Sequence, residues 1–293
     1  MPANKNQGVI VVFDLDGVMV SGDLAISLFR NHGLAGFFKQ TSSEIITAIK
    51  QGKSFDGKPA YPAQTLEYVL REAVKAGERI TVQEIQALAR KERLMPGAKE
   101  LIQKLKSNPN VKDVYVVSSA YEPAAEVIAE RLGIPAKNVV ATQLRYREDG
   151  VVYGTMGSAR GGIHKARAIQ LISANSRTPI RKMIAIGDTL TDGAMLKEIA
   201  EKGGLGIAFN AHEDLIRENP SVVFAGKSIK PVAGIVEKFA SQGHMGVRRI
   251  IQRNRRLHRY AMPVMHAFRR PQLFTGDLST RANAVRVSAR HRK

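Results

Sequence analysis

The 293-residue chain has no cysteine. That excludes disulfides and thiolate metal sites, and it fits a reducing compartment. No apolar run approaches the roughly 20 residues that a bilayer crossing needs. The opening stretch MPANKNQG lacks the apolar segment of a secretory leader. The expectation is a cytoplasmic protein without a transmembrane segment. Acids are scarce in one region above all. From Ser241 to Lys293 a single acid, Asp277, stands against 13 Lys and Arg, so +12 of the net +19 falls in the last 53 residues. Residues 1–240 carry only +7, and they contain neither an internal repeat nor a low-complexity tract. The two parts are therefore read separately.

What is present is a core-forming chain, 44% hydrophobic and long enough for one large domain, or for a core with a smaller companion. Three short apolar runs look alike. VIVVF (9–13) leads into Asp14, VYVV (114–117) into Ser118 and MIAIG (183–187) into Asp188. Apolar runs without alternation suit strands buried on both faces of a parallel sheet. PAAEVIAERLG (123–133) and KARAIQLISAN (165–175) read as helices between them, so the expected architecture is a doubly wound α/β sheet. Functional groups in such sheets collect beyond the carboxyl ends of the strands. Residues 19–93 show helical periodicity and no clear strand, and read as a helical insertion. MPGAKELIQKLK (95–106) restarts the main domain with Pro96 at a helix start. Residues 139–155, with Asp149-Gly150 inside, read as a hairpin.

The chemistry is concentrated at the strand ends. Two acids one residue apart, Asp14 and Asp16, repel each other unless a cation or a chemical task compensates. A second pair, Asp188 and Asp192, follows the third strand, with Asp192 in the first turn of a helix starting near Thr189. Hard divalent cations of the magnesium type prefer such carboxylate oxygens. Asp14 is the candidate nucleophile, since an aspartate can attack phosphorus to form an acyl phosphate. Asp16 can protonate the leaving oxygen and later activate water. Ser118 offers a hydroxyl to a phosphoryl oxygen, although a serine there also suits a helix cap. Lys165, after the glycine-rich GSARGGIH, is a cation placed to neutralise both nucleophile and phosphoryl charge; Lys182 and Arg160 compete for that role. Phe37, Phe38 and Phe55 read as core of the insertion.

FDLDGV, VVSSA, Lys165 and GDTLTD resemble, in order, the four motifs of the haloacid dehalogenase-like phosphohydrolases. RLMPGAKELIQKLK, VVSSAYEPAAEVIAERLGIPAKNVVA and GIAFNAHEDLIRENP are similar to the phosphoserine phosphatase branch. The resemblance covers roughly residues 8–238. It implies a Rossmann-like parallel core (8–18 and 94–238), an inserted helical cap (19–93) and Mg²⁺ held by Asp14, Asp188 and the backbone carbonyl of Asp16, with Asp192 in support. It further implies a small phosphorylated substrate met by Ser118 and Ser119, with Asp23 at the position that holds a substrate amine. Departures from the branch are Asp23 in place of Glu, Ser119-Ala120 in place of a double glycine, Gly17 where serine often stands, and an Arg71 whose surroundings do not match. The function that follows is a Mg²⁺-dependent phosphomonoester hydrolase working through an aspartyl-phosphate. Transfer to another alcohol shares its first half-reaction.

Residues 241–293 form a basic extension, expected to be partly helical and partly disordered. Val247, Ile250, Ile251, Leu257, Ala261, Val264, Met265 and Phe268 fall near one helical face, with arginines largely elsewhere and Pro263 as a kink or stop. Such a segment suits an anionic membrane, RNA or the protein's own core. The alternative function is accordingly a nucleic-acid or anionic-membrane binding protein, with weak non-specific contact through this extension and an ancillary phosphatase core.

Overall fold

The apolar run VIVVF has no polar face because it has no exposed face. In the computed structural model, which describes residues 8–55, 58–59, 64–156, 163–217 and 221–253, all five of its residues are buried. Ile10 and Val12 join one hydrophobic cluster, while Val9, Val11 and Phe13 join another on the opposite side. This split follows from the two-residue period of a strand. The chain runs β1 (Val9–Phe13), α1 (Leu24–Asn31), α2 (Ala35–Lys50), β2 (Ser54–Phe55), β3 (Lys58–Pro59), α3 (Gln64–Lys75), α4 (Val82–Lys91), α5 (Ala98–Ser107), β4 (Val111–Tyr121) and α6 (Glu122–Leu132). It continues as β5 (Val139–Thr142), β6 (Leu144–Tyr146), β7 (Val152–Thr155), α7 (Ile163–Ser176), β8 (Met183–Gly187), α8 (Leu190–Glu201), β9 (Leu205–Phe209), α9 (Glu213–Arg217), β10 (Val222–Phe224) and α10 (Val232–Arg253).

Six strands form one sheet in the order β10-β9-β8-β1-β4-β5, and every pairing in it is parallel. The expected α/β architecture is observed. Helices α7 and α8 cover one face through Ala168, Ile169, Ile172, Met195, Leu196 and Ile199. Helices α5, α6 and α10 cover the other. Because β1 lies between β4 and β8, the carboxyl ends of the three apolar runs are neighbours.

Residues 19–95 leave the sheet after β1 and return beside their point of departure. Ser21 N–H donates to Arg93 O at 2.9 Å and Met95 N–H to Met19 O at 2.8 Å. The excursion is mainly helical, but it also contains the β2–β3 ladder of two residues a side, a strand pair that helical periodicity does not reveal. Its turns are tied by His32, whose Nδ1 lies 2.7 Å from Glu78 and Nε2 3.1 Å from Glu84. Both ring nitrogens face carboxylates, so both must carry hydrogen. Burial opposes that charge, but the two carboxylates outweigh it and raise the imidazole pKa. Phe38 is buried and stacks on Phe29. Phe37 and Phe55 instead gather around Tyr68 near the surface, which corrects their reading as core.

Three other expectations change. The hairpin is shorter than residues 139–155: Val139–Thr142 belongs to the main sheet as β5, and only β6 and β7 pair antiparallel. Gly150 turns it at φ +79°. Helix α5 begins at Ala98, so Pro96 stands before its Gly97 cap and not at its first position. Finally, α10 continues past the expected start of the basic extension at 241. It kinks at Gly243 and buries Val247 and Ile251 in the main cluster. Of the three partners left open for that apolar face, the protein's own core takes these two residues. The remainder, residues 254–293 with Leu257, Pro263 and Phe268, lies outside the described residues, as does the glycine-rich stretch 157–162 with Arg160.

Candidate active site

Each strand run ends in a side chain aimed at its neighbours. Asp14 follows β1 and keeps a sheet-like bond, its N–H donating to Ile186 O of β8 at 2.9 Å. Lys165 lies in the first turn of α7. Its Nζ donates to Asp14 Oδ1 at 2.7 Å and to Asp192 Oδ1 at 2.6 Å. The side chains of Asp14, Lys165 and Asp192 are 6%, 1% and 0% exposed. Lys182, its competitor, precedes β8 and so sits at the amino edge of the parallel sheet, away from these acids.

The loop after β8 is built by Asp192. Its Oδ2 accepts from the N–H of Asp188 at 3.0 Å and of Thr189 at 3.1 Å, and Thr189 completes a capping box at the start of α8. This fixes Asp188 beside Asp14. Oxygens of Asp14, Asp188 and Asp192 lie within 4.8 Å of one another. Among the described residues, Asp188 Oδ1 is a buried atom without a hydrogen-bond partner. Gly17, at φ +73°, makes room for this arrangement: a Cβ there would sit 1.9 Å from Asp188 Oδ2, so a side chain would strain the backbone and push Asp188 aside.

The electrostatics point to a missing positive charge. Burial, followed by the Asp192 charge, pushes the Asp14 carboxyl up to about 6 despite Lys165. Burial and the Asp14 and Asp192 charges push Asp188 up to about 9. Burial opposes the Lys165 charge, but the two aspartates override it and hold the ammonium above its ordinary range. One lysine does not balance two buried carboxylates and a half-buried one. An orphaned oxygen and three clustered oxygen donors fit a hard divalent cation.

The other candidate residues are placed as follows. Asp16 stands apart from the three-acid cluster and accepts from Leu24 N–H at 3.0 Å, at the first turn of α1. Burial, then Asp23 and Asp14, raise its pKa well above the usual carboxylate range. Asp23 caps α1, accepting from Ile26 N–H at 2.9 Å. Ser118 is 1% exposed and its Oγ accepts from Ala120 N–H at 3.1 Å, which leaves its own hydrogen free to donate. Ser119 Oγ is buried without a hydrogen-bond partner among the described residues. Arg71 stacks over Tyr68 at 4.8 Å and bonds Glu72.

Two further features were not read from the sequence. Lys50, at the end of α2, reaches Asp214 of α9 at 3.0 Å, while His212 N–H donates to Asp188 O at 2.9 Å. The tip of the excursion thus touches the segment that follows β9 beside the acids. The hairpin bonds the excursion from the other side, with Val152 N–H to Ile80 O at 2.9 Å and Val82 N–H to Gly150 O at 3.0 Å. Sequence spacing carries no signal for either contact.

Residues 11–197 match the family described as haloacid dehalogenase-like hydrolase. The chain belongs to that family. Among curated relatives, it is 25% identical over 206 residues to the phosphoserine phosphatase of Archaeoglobus fulgidus, covering 70% of this chain and 54% of that one. It is 34% identical over 102 residues to the Homo sapiens phosphoserine phosphatase, covering 34% of this chain and 43% of that one. The chain therefore spans about half the length, or less, of these curated relatives. A solved phospho-aspartyl intermediate analogue of phosphoserine phosphatase superposes with a TM-score of 0.60 at 22% identity, covering 77% of this chain and 97% of that one; this likeness concerns the fold. Among the described residues no helix is long and apolar enough to cross a membrane.

Proposed function

We propose that the protein is a Mg²⁺-dependent phosphomonoester hydrolase that works through an aspartyl-phosphate on Asp14. The observation that carries this reading is the buried Lys165, bonded at once to Asp14 and Asp192 beside an Asp188 oxygen that has no hydrogen-bond partner among the described residues. Family membership and the phosphoserine phosphatase relatives support it.

In this reading the Asp14 carboxylate attacks phosphorus, the bond from phosphorus to the leaving oxygen breaks, and Asp16 gives that oxygen a proton. The raised pKa of Asp16 suits a group that must hold a proton at neutral pH. Asp16 then takes a proton from water, the water oxygen attacks phosphorus, and the Asp14–phosphorus ester bond breaks to release phosphate. Lys165 holds Asp14 Oδ1, fixing the carboxylate and offsetting negative charge. Ser118, and with it Ser119, donates to phosphoryl or substrate oxygens. Asp23 stands where a substrate cation would lie, next to Asp16. Asp14, Asp188 and the Asp16 carbonyl would hold the magnesium, with Asp192 behind them. The ion supplies positive charge to a phosphoryl group. Residues 19–93 act as a cap over a small phosphorylated substrate, phosphoserine-like in class.

Residues 254–293 carry ten Lys and Arg against one acid. That composition suits an accessory, salt-dependent contact with nucleic acid or an anionic membrane, while catalysis stays with the core.

The test is phosphate release from an aryl phosphate, with and without Mg²⁺, by wild type and Asp14→Asn. Magnesium-dependent turnover lost in the variant is expected; wild-type turnover by the variant overturns the mechanism. A panel of phosphorylated metabolites that includes phosphoserine then ranks substrates.

A further inference from the structure

The β4–β5 ladder breaks where it meets the candidate site. Val116 and Val117 pair with Val139 and Val140 in step, but the next pair is Tyr121 with Thr142. Strand β4 spends four residues where β5 spends two, so Ser118, Ser119 and Ala120 bulge out of the sheet. Ladder bonds cannot hold a bulge. Two side chains replace them. Thr142 Oγ1 donates to Ser119 O at 2.7 Å, and Ser118 Oγ accepts from Ala120 N–H at 3.1 Å. The peptide joining Ser119 to Ala120 is thereby gripped at its carbonyl and at its N–H.

Thr142 is 1% exposed, so no water competes for the bond. A hydroxyl has one hydrogen, and this one is committed. The grip decides how Ser118 is used. Because Ser118 Oγ already accepts from Ala120, one side of the oxygen is occupied and its own hydrogen is left to donate elsewhere. If the carbonyl end were released, the peptide could turn, Ala120 N–H would leave Ser118, and the serine hydroxyl would lose its aim.

We propose that Thr142 is a positioning residue for phosphoryl transfer, acting through the shape of the 118–120 bulge on the Ser118 hydroxyl. The inference rests on the phosphatase reading above. Thr142 does not touch the phosphoryl group; it holds the loop that does.

The experiment compares aryl phosphate turnover with Mg²⁺ for wild type, Thr142→Val, Thr142→Ser, Ser118→Ala and the Ser118→Ala/Thr142→Val double variant. Valine keeps the shape and removes the donor, while serine keeps the donor. A displacement of about 1 Å costs on the order of 100-fold where geometry is critical, and a turned peptide should cost about 10-fold or more in kcat. Thr142→Val is expected to lose that much, Thr142→Ser to stay within about 3-fold of wild type, and Thr142→Val to add less than about 2-fold once Ser118 is already alanine. Thr142→Ala replaces Thr142→Val if the valine variant melts below the assay temperature. The inference alone is overturned if wild type is active and Thr142→Val matches it, if serine fails to rescue, or if the two losses multiply in full. A wild type without phosphatase turnover overturns the phosphatase reading and this inference together.

Discussion

Lys165→Met tests the buried charge balance most directly. Methionine is unbranched and of similar length, so packing is largely kept while the cation is removed. Asp14 and Asp192, 6% and 0% exposed, then face each other without the ammonium that now lies 2.7 and 2.6 Å away. Removing one partner of a buried ion pair costs about 3–5 kcal/mol. At roughly 2–4 °C per kcal/mol for a domain of this size, the melting temperature should fall by about 6–20 °C. The chain has no tryptophan, so unfolding is followed by far-ultraviolet circular dichroism. The measurement is made in EDTA, because a divalent cation binding only the folded chain would mask the loss by mass action. The deficit also has a sign in pH. With the lysine gone, burial and the Asp192 charge, already the leading causes that lift Asp14 to about 6, are opposed only by the Leu15 backbone N–H. The folded variant therefore holds a proton that the unfolded chain releases, and its stability falls as pH rises. The deficit should be larger near pH 8 than near pH 5. A loss below about 1 kcal/mol at pH 8, or one independent of pH, refutes the reasoning.

Three further outcomes are expected. In wild type without metal, the folded-state pKa values of Asp14 and Asp188 are raised to about 6 and about 9, so the folded chain binds more protons than the unfolded one; stability should decline from about pH 5 to about pH 9, and millimolar Mg²⁺ should flatten the slope. Gly17→Ala drives a Cβ to 1.9 Å from Asp188 Oδ2 in a left-handed conformation, and turnover should fall about 100-fold or more, read against Glu92→Ala as a control for altered folding. Ending the chain after Ser241 removes Val247 and Ile251, both buried, and should destabilise by about 3–6 kcal/mol relative to ending it after Arg253, measured by urea unfolding.

The sheet was legible because β1, the middle of β4 and β8 are buried on both faces, and an uninterrupted apolar run is what such burial writes into a sequence. The nearness of Asp14 and Asp188 followed from two strands ending in acids on one edge. Distances were not legible. Nothing local in IHKARA says that Lys165 bonds Asp14 and Asp192, because that depends on how α7 packs on the sheet. The bulge at 118–120 was hidden because register is a property of two strands and VYVVSSAY looks continuous in one. The apolar residues at 247 and 251 were visible, but periodicity names a face without naming its partner, and the run of arginines drew attention to the charge. The β2–β3 pair of two residues a side is too short for any alternation to register.

The hairpin β6–β7 has a mechanical consequence. With Ile80 and Val82 bonded to it and residues 19–21 bonded to 93–95, the inserted region is pinned at its root and again at the turn between α3 and α4. In the proposed cap role, a region fastened along two lines cannot swing like a door. That leaves closure to bending at the corner where the exposed Lys50 meets Asp214.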